Sequence, residues 1–87
     1  MQKVGVVTHY YTKIKVAVIE LTANLSVGER ILFVRGGEEL FEQDVESIQL
    51  EHEEKKTAGK GDCIGLKILD DVKEGAEIYK IKKSPKH

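Results

Sequence analysis

A repeated glycine spacing constrains the fold of this 87-residue chain more than any other feature. The segments "VGERI" (27–31), "KGDCI" (60–64) and "EGAEI" (74–78) each place a glycine three residues ahead of the isoleucine of a strand-like run. Glycine tolerates the positive φ that tight turns between strands need, so Gly28, Gly61 and Gly75 are expected to be structural turn residues. Short strands separated by such turns favour an antiparallel barrel or sandwich.

β-Branched and aromatic residues predict the strands themselves. The strand-like runs are "KVGVVTHYY" (3–11), "KIKVAVIEL" (13–21), "RILFVR" (30–35), "CIGLKIL" (63–69) and "EIYKIK" (77–82). No linker composition interrupts them. We therefore expect one domain over residues 1–83, followed by a short basic tail at 84–87 that holds the only proline.

Residues 38–54 fit two different structures. Phe41, Val45, Ile48 and His52 fall at i, i+4, i+7 and i+11 with glutamates between them, a pattern that favours an amphipathic helix. A strand requires a slip in the alternation, which a β-bulge at 46–47 would supply. Taken alone, the residues favour the helix.

The glycine-rich stretch "TAGKGDCIGLKI" (57–68) raises the possibility of a nucleotide-binding loop. A P-loop must open a helix, whereas a strand-like run follows Gly59 and Gly61 here. The spacing to Gly65 is also one residue too long for a dinucleotide fingerprint. The D-x-x-G pattern of "DCIG" has only two fixed residues, and no P-loop accompanies it. We expect no nucleotide, and interpret the glycines as turn residues.

Charge is distributed unevenly along the chain. Residues 38–54 contain eight acidic residues and no lysine or arginine, while the rest of the chain carries a formal charge of +7. Such a chain can present two faces of opposite sign, although charges also simply solvate a small domain.

An aromatic and basic cluster lies near the start of the chain. His9, Tyr10 and Tyr11 precede Lys13 and Lys15, which together could stack bases and neutralise phosphates. The competing interpretation is that alternate members fill the core while the others cover the surface, and general tendencies favour it.

Other residues give little sign of catalysis. Cys63 is expected to be a small buried hydrophobe, and as the only cysteine it cannot form an intrachain disulfide. His52 stands among glutamates, but neighbouring residues of a strand point to opposite faces, which disfavours a metal site. We expect no enzyme, metal or cofactor. A small hydrolase or metal enzyme would need His52 and two carboxylates to converge.

The cellular location follows from what the sequence does not contain. Its longest apolar runs, "VAVI" and "ILFV", are far too short to cross a membrane, and the first residues lack a signal-peptide pattern. The prediction is a cytoplasmic protein.

Ordered motifs across residues 3–82 resemble a known domain. The chain looks like the second domain of translational GTPases, the β-barrel of the elongation-factor and initiation-factor families. It also resembles the barrels appended to collagenase-like peptidases. The matching segments are "GVV" (5–7), "LSVGERI" (25–31), "VESI" (45–48), "AGKGDCIG" (58–65) and "VKEGAEI" (72–78).

The resemblance implies a fold and a type of function. It implies that residues 38–54 are strand and that about six antiparallel strands close into a small all-β barrel. It also implies a binding role in translation, on tRNA, ribosomal RNA or the ribosome. The departures are the missing GTPase domain and Ala76, which replaces the usual acidic residue of the last turn.

Two functions are therefore expected, and the first is preferred over the second. The first is a non-catalytic module that binds RNA or the ribosome. The second is a protein-interaction module that docks on a GTPase or a peptidase-like enzyme through the acidic segment 38–54. The candidate nucleic-acid contacts are Tyr10, Tyr11, Lys13, Lys15, Lys80, Lys82 and Lys83.

Overall fold

Ten β-strands make up the regular structure of residues 2–81, the part of the chain that a computed structural model describes. The strands are β1 (Gln2–Tyr11), β2 (Val16–Leu21), β3 (Leu25–Ser26), β4 (Arg30–Arg35), β5 (Glu38–Asp44), β6 (Ile48–Leu50), β7 (Glu53–Lys55), β8 (Thr57–Ala58), β9 (Cys63–Lys67) and β10 (Glu77–Ile81). No helix that could span a membrane occurs among these residues.

The strands form two antiparallel sheets rather than one closed barrel. Eight strands pair in the order β5-β4-β10-β1-β2-β9-β6-β7, and β3 pairs with β8 in a separate two-stranded ribbon. The large sheet starts at β5 and ends at β7, and these edges do not pair with each other. The chain is thus all-β, as expected, but the prediction of a closed barrel of about six strands is wrong.

Residues 38–54 form β5, β6 and most of β7, and the helix pattern is not realised. Phe41 stacks on Phe33 of the neighbouring strand with ring centroids 4.5 Å apart. After β5 the chain leaves the ladder at 45–47 and re-enters as β6, and this irregular stretch lets both Val45 and Ile48 be buried. Cross-strand packing therefore overrides local helix preference. A further turn at 51–52, with φ of 52° and 67°, separates β6 from β7 and adds strands that the sequence did not predict.

One apolar core lies inside the curved sheet. Alternation along β2 and β9 turns Ala17, Ile19, Ile64 and Leu66 inward, and all four are at most 1% exposed. Gly5 lets β1 and β2 approach closely, because a Cβ there would lie 2.7 Å from the Ile19 side chain.

The glycines of the repeated spacing lie in turns with left-handed backbone conformation. Gly28, Gly61 and Gly75 have φ of 97°, 91° and 90° and stand ahead of β4, β9 and β10. Residues with a Cβ rarely adopt these angles, which gives a physical reason for glycine at each turn.

A single glutamine links the open edge β5 to the far end of β9. Gln43 is 4% exposed and is the one buried polar side chain among residues 2–81. Its Nε2 donates to the Lys67 carbonyl at 3.0 Å, and its Oε1 accepts from the Leu69 amide at 2.8 Å. The side chain therefore takes the place of strand pairing where the sheet does not close.

We expect Gln43→Leu to lower the free energy of unfolding by about 1–3 kcal/mol. Leucine matches the volume but leaves the Lys67 carbonyl and the Leu69 amide without partners. Urea denaturation measures the change. Gln49→Leu is the control, because Gln49 is an exposed strand residue whose side chain makes no hydrogen bond among residues 2–81. Equal effects of the two substitutions would contradict the role of Gln43.

Candidate docking surface

Three loops meet at one end of the sheet, which we call the hairpin end (residues 10–15, 35–40 and 69–73). The turn between β1 and β2 joins the loop after β9 because the Ile68 amide donates to the Lys15 carbonyl at 2.9 Å. The Tyr10 hydroxyl donates to the Asp71 carboxylate at 2.7 Å, and His9 pairs with Glu74 at 3.1 Å. These contacts fix the loop after β9 beside β1.

A cleft of about 460 Å³ opens between these loops. Its lining residues are Tyr10, Thr12, Arg35, Glu38, Leu40, Asp71, Val72 and Lys73. The set combines apolar side chains with two acidic and two basic ones. Arg35, Glu38 and Lys73 have no ion-pair partner among residues 2–81. Apolar contact with a rim of available charges is typical of a binding surface.

Exposed apolar side chains concentrate at the hairpin end. Tyr11, Ile14, Leu40 and Leu69 are 49%, 59%, 39% and 69% exposed, whereas Val27 is the one other large exposed hydrophobe in the described part of the chain. Grouped exposure of this kind marks interaction sites, while a single exposed apolar residue carries no such meaning.

Burial and the Asp71 carboxylate raise the pKa of Tyr10 to about 12. Desolvation is the larger cause, and the hydrogen bond to Asp71 adds to it. The Tyr10 hydroxyl is thus engaged within the fold. Tyr11 is more exposed, and its ring meets the edge of His9 with centroids 4.4 Å apart.

The predicted basic contacts do not form one surface. Lys13 and Lys15 are exposed in the turn between β1 and β2. Lys80 pairs with Gln2 at the opposite end of β1, roughly 30 Å away at strand spacing, and its ammonium lies 3.1 Å from Glu29. The other two candidates, Lys82 and Lys83, lie outside the described residues.

The acidic segment 38–54 is divided among several elements. Arg30 binds Glu42 at 3.0 Å and Asp44 at 3.2 Å. The pKa of Arg30 is raised, and its hydrogen bond to Glu42 is the largest cause. Glu53 lies 3.5 Å from Lys55. Glu38 reaches the cleft at the hairpin end. Only part of the segment therefore contributes to the candidate surface.

Cys63 and His52, the two residues considered for catalysis or metal binding, both lie on the surface. Cys63 is exposed at the start of β9, so the prediction that it is buried is wrong. His52 lies in the exposed turn between β6 and β7. Residues 2–81 contain no cluster of three or more His, Cys, Asp or Glu side chains able to hold a metal ion.

Sequence reasoning missed most of the cleft. Arg35, Leu40, Val72 and Lys73 come from segments interpreted as a strand end, an acidic stretch and a simple turn. Their meeting depends on sheet order, which local patterns do not encode. One signal in the sequence could have indicated an exposed apolar surface here. Leu69 is apolar, yet it follows the buried Ile68 and lies at the start of a polar turn.

Comparison with known proteins gives three findings. No family model matches the chain. A protein of Methanocaldococcus jannaschii named an uncharacterized protease is 34% identical over 82 residues, and the match covers 94% of this chain and 20% of that protein. The chain thus spans about a fifth of that relative's length.

The fold is similar to a solved domain. The crystal structure of the C-terminal domain of a Geobacillus thermoleovorans protein, described as a U32 peptidase, aligns with a TM-score of 0.86, 19% identity and 93% coverage of each chain. The selenomethionine variant of that domain aligns with a TM-score of 0.85, 20% identity, and coverage of 92% of this chain and 100% of that one.

These likenesses correct one part of the sequence interpretation and support another. The resemblance to C-terminal domains of collagenase-like peptidases is supported. The assignment to translation-factor domain 2, with its ribosome-associated role, is wrong, because the matched proteins are named for peptidases. Glycine-containing turns are common in small antiparallel domains, which explains why the motifs of this chain also resemble those of a translation factor.

We expect Tyr10→Phe to change how stability depends on pH. In the unfolded chain Tyr10 loses its proton near its ordinary pKa of about 10, but the folded protein holds that proton up to about 12. Tyr10 therefore contributes stability that is full below pH 10 and is lost as the pH rises through 12. Urea denaturation at pH 9.5 and 11.5 should show a steeper loss for the unmodified protein than for Tyr10→Phe.

The matched control is Tyr11→Phe, whose exposed hydroxyl makes no hydrogen bond among residues 2–81. It should retain the pH dependence of the unmodified protein. Identical pH dependence in Tyr10→Phe and the unmodified protein would refute the role of the Tyr10–Asp71 pair.

Proposed function

We propose that this chain is a non-catalytic accessory domain that docks on the body of a U32-type peptidase through its hairpin end. The observation that carries the proposal is the 34% identity between almost the whole chain and one fifth of a protein named as a protease. The same fold forms the C-terminal domain of a protein described as a U32 peptidase. A segment of this kind has a much larger body to pack against.

The hairpin end supplies the contact chemistry for that role. Leu40, with Tyr10 and Val72, offers an apolar cleft, and Tyr11 stands exposed beside it. Tyrosine and leucine at such a site bury apolar area while the phenol keeps a polar partner. The expected counterpart on the peptidase body is an apolar projection flanked by charged side chains.

The acidic segment 38–54 has a narrower role than a complete docking patch. Glu38 lies on the rim of the cleft with Asp71, where both could meet basic residues of the peptidase body. The remaining acids lie largely along β5 and β7, the two edges of the large sheet. Charge on an edge strand discourages unwanted pairing with other chains.

The proposal includes the absence of catalysis and a cytoplasmic location. Both remain predictions from the sequence. Catalysis would then belong to the peptidase body.

A binding assay with matched variants tests the docking surface. The partner is the Methanocaldococcus jannaschii protease lacking the segment that matches this chain, and titration calorimetry measures binding of the intact chain. We expect a dissociation constant of about 1–100 μM, in the range of interfaces between domains. Leu40→Ser should weaken binding by at least about tenfold, since buried anchors dominate such interfaces.

The control is Val27→Ser, which removes an apolar side chain with the same 39% exposure as Leu40 from the turn before β4. Binding should remain within about twofold of the unmodified chain. Absence of binding at 100 μM, or equal weakening by both variants, would overturn the proposal.

A further inference from the structure

Gly65 is a glycine that the fold itself does not require. It lies inside β9, and a Cβ added there would meet the Val16 side chain at 3.5 Å and the Gln49 Cβ at 3.8 Å, which are ordinary van der Waals distances. Its φ is outside the left-handed region, unlike that of Gly61. Gly5 differs, since a side chain there would collide with Ile19. Glycine within a strand often marks the close approach of a ligand or another backbone.

A groove lies over Gly65 on the outer face of the sheet. Its volume is about 290 Å³, and its lining residues are Ile14, Val16, Ser47, Gln49, Gly65 and Lys67. Because β2 and β6 flank β9, the walls stand roughly 10 Å apart, twice the strand spacing. The missing side chain thus leaves a slot about one side chain wide that follows the direction of β9.

The surroundings of the groove are apolar and basic. Ile14 and Val16 form its aliphatic side, and Ile14 is 59% exposed. Lys67 stands at one end, and Lys13 and Lys15 lie in the adjoining turn. None of the three lysines has an ion-pair partner among residues 2–81. A ligand that matches these features carries negative charge and an aliphatic side chain.

We propose that this groove binds an extended, acidic segment of a protein partner, with one aliphatic side chain seated over Gly65 and a carboxylate on Lys67. A peptide fits better than RNA, because the groove is lined by one aliphatic wall, Ile14 and Val16, and by no aromatic ring on which a base could stack. The groove shares no lining residue with the cleft, and only Ile14 of its lining belongs to the hairpin end, so the groove can be tested without a peptidase body.

Titration of the ¹⁵N-labelled full chain with short peptides tests the groove without any peptidase. The probe is a capped heptapeptide with a central leucine flanked by glutamates and serines. We expect amide shifts confined to residues 14–16, 47–49 and 65–67, with a dissociation constant of about 0.1–1 mM. The same peptide with lysines in place of the glutamates should bind at least about tenfold more weakly.

Two variants separate binding from folding. Gly65→Ala should weaken binding of the acidic peptide at least about tenfold, because the added methyl group occupies the slot. The thermal midpoint of unfolding should stay within about 2 °C or rise, because the methyl group fits the folded structure. Lys67→Glu should also weaken binding, whereas Lys60→Glu, an exposed lysine in the turn before β9, should have no effect.

Several results would overturn the inference. These are no shifts at the groove amides up to about 5 mM acidic peptide, equal binding of the lysine peptide, or normal binding by Gly65→Ala. A large fall in the thermal midpoint of Gly65→Ala would show that the fold needs this glycine. Groove shifts with a seven-residue oligouridine but not with the peptide would assign the site to RNA.

Discussion

The side-chain amide of Gln43 is the interaction on which the rest of this structure depends. The large sheet does not close, so the backbone at Lys67 and Leu69 has no strand partner on the side that faces β5, although Lys67 pairs with Val16 of β2 on its other side. One buried glutamine supplies both a donor and an acceptor there. Because a buried, unpaired backbone group is costly, this pairing fixes where the chain leaves β9. The neighbouring Ile68 amide donates to the Lys15 carbonyl and so joins the end of β9 to the turn between β1 and β2.

Both candidate binding surfaces follow from that arrangement. The loop after β9 brings Asp71 and Val72 against Tyr10 and so forms one side of the cleft. The turn between β1 and β2 carries Ile14, which borders the groove over Gly65. Glutamates along the two edge strands β5 and β7 oppose sheet extension. An open sheet of this size is therefore compatible with a domain that binds partners through loops and an outer face rather than through its edges.

The sequence predicted elements better than their assembly. Alternation and β-branched residues predicted strands at 3–11, 13–21 and 30–35, and these correspond to β1, β2 and β4 because such signals are local, although β2 begins only at Val16, after a turn over residues 12–15. The ribbon of β3 and β8 was missed, since two-residue strands leave almost no pattern. The closed barrel was wrong because closure depends on whether two distant edges pair. Tyr11 and Lys13, two of the predicted nucleic-acid contacts, are exposed close to the turn between β1 and β2, whereas Lys80 lies at the far end of β1, a separation that only the strand register decides.

Amide hydrogen exchange at Leu69 tests the central role of Gln43 most directly. The Leu69 side chain is 69% exposed and the residue lies outside every strand, so its amide has no protection except the bond to Gln43. We predict that this amide exchanges at least about 100-fold more slowly than an unstructured peptide, while Lys73 in the same loop exchanges near the unstructured rate. Exchange of Leu69 as fast as that of Lys73 would contradict the account.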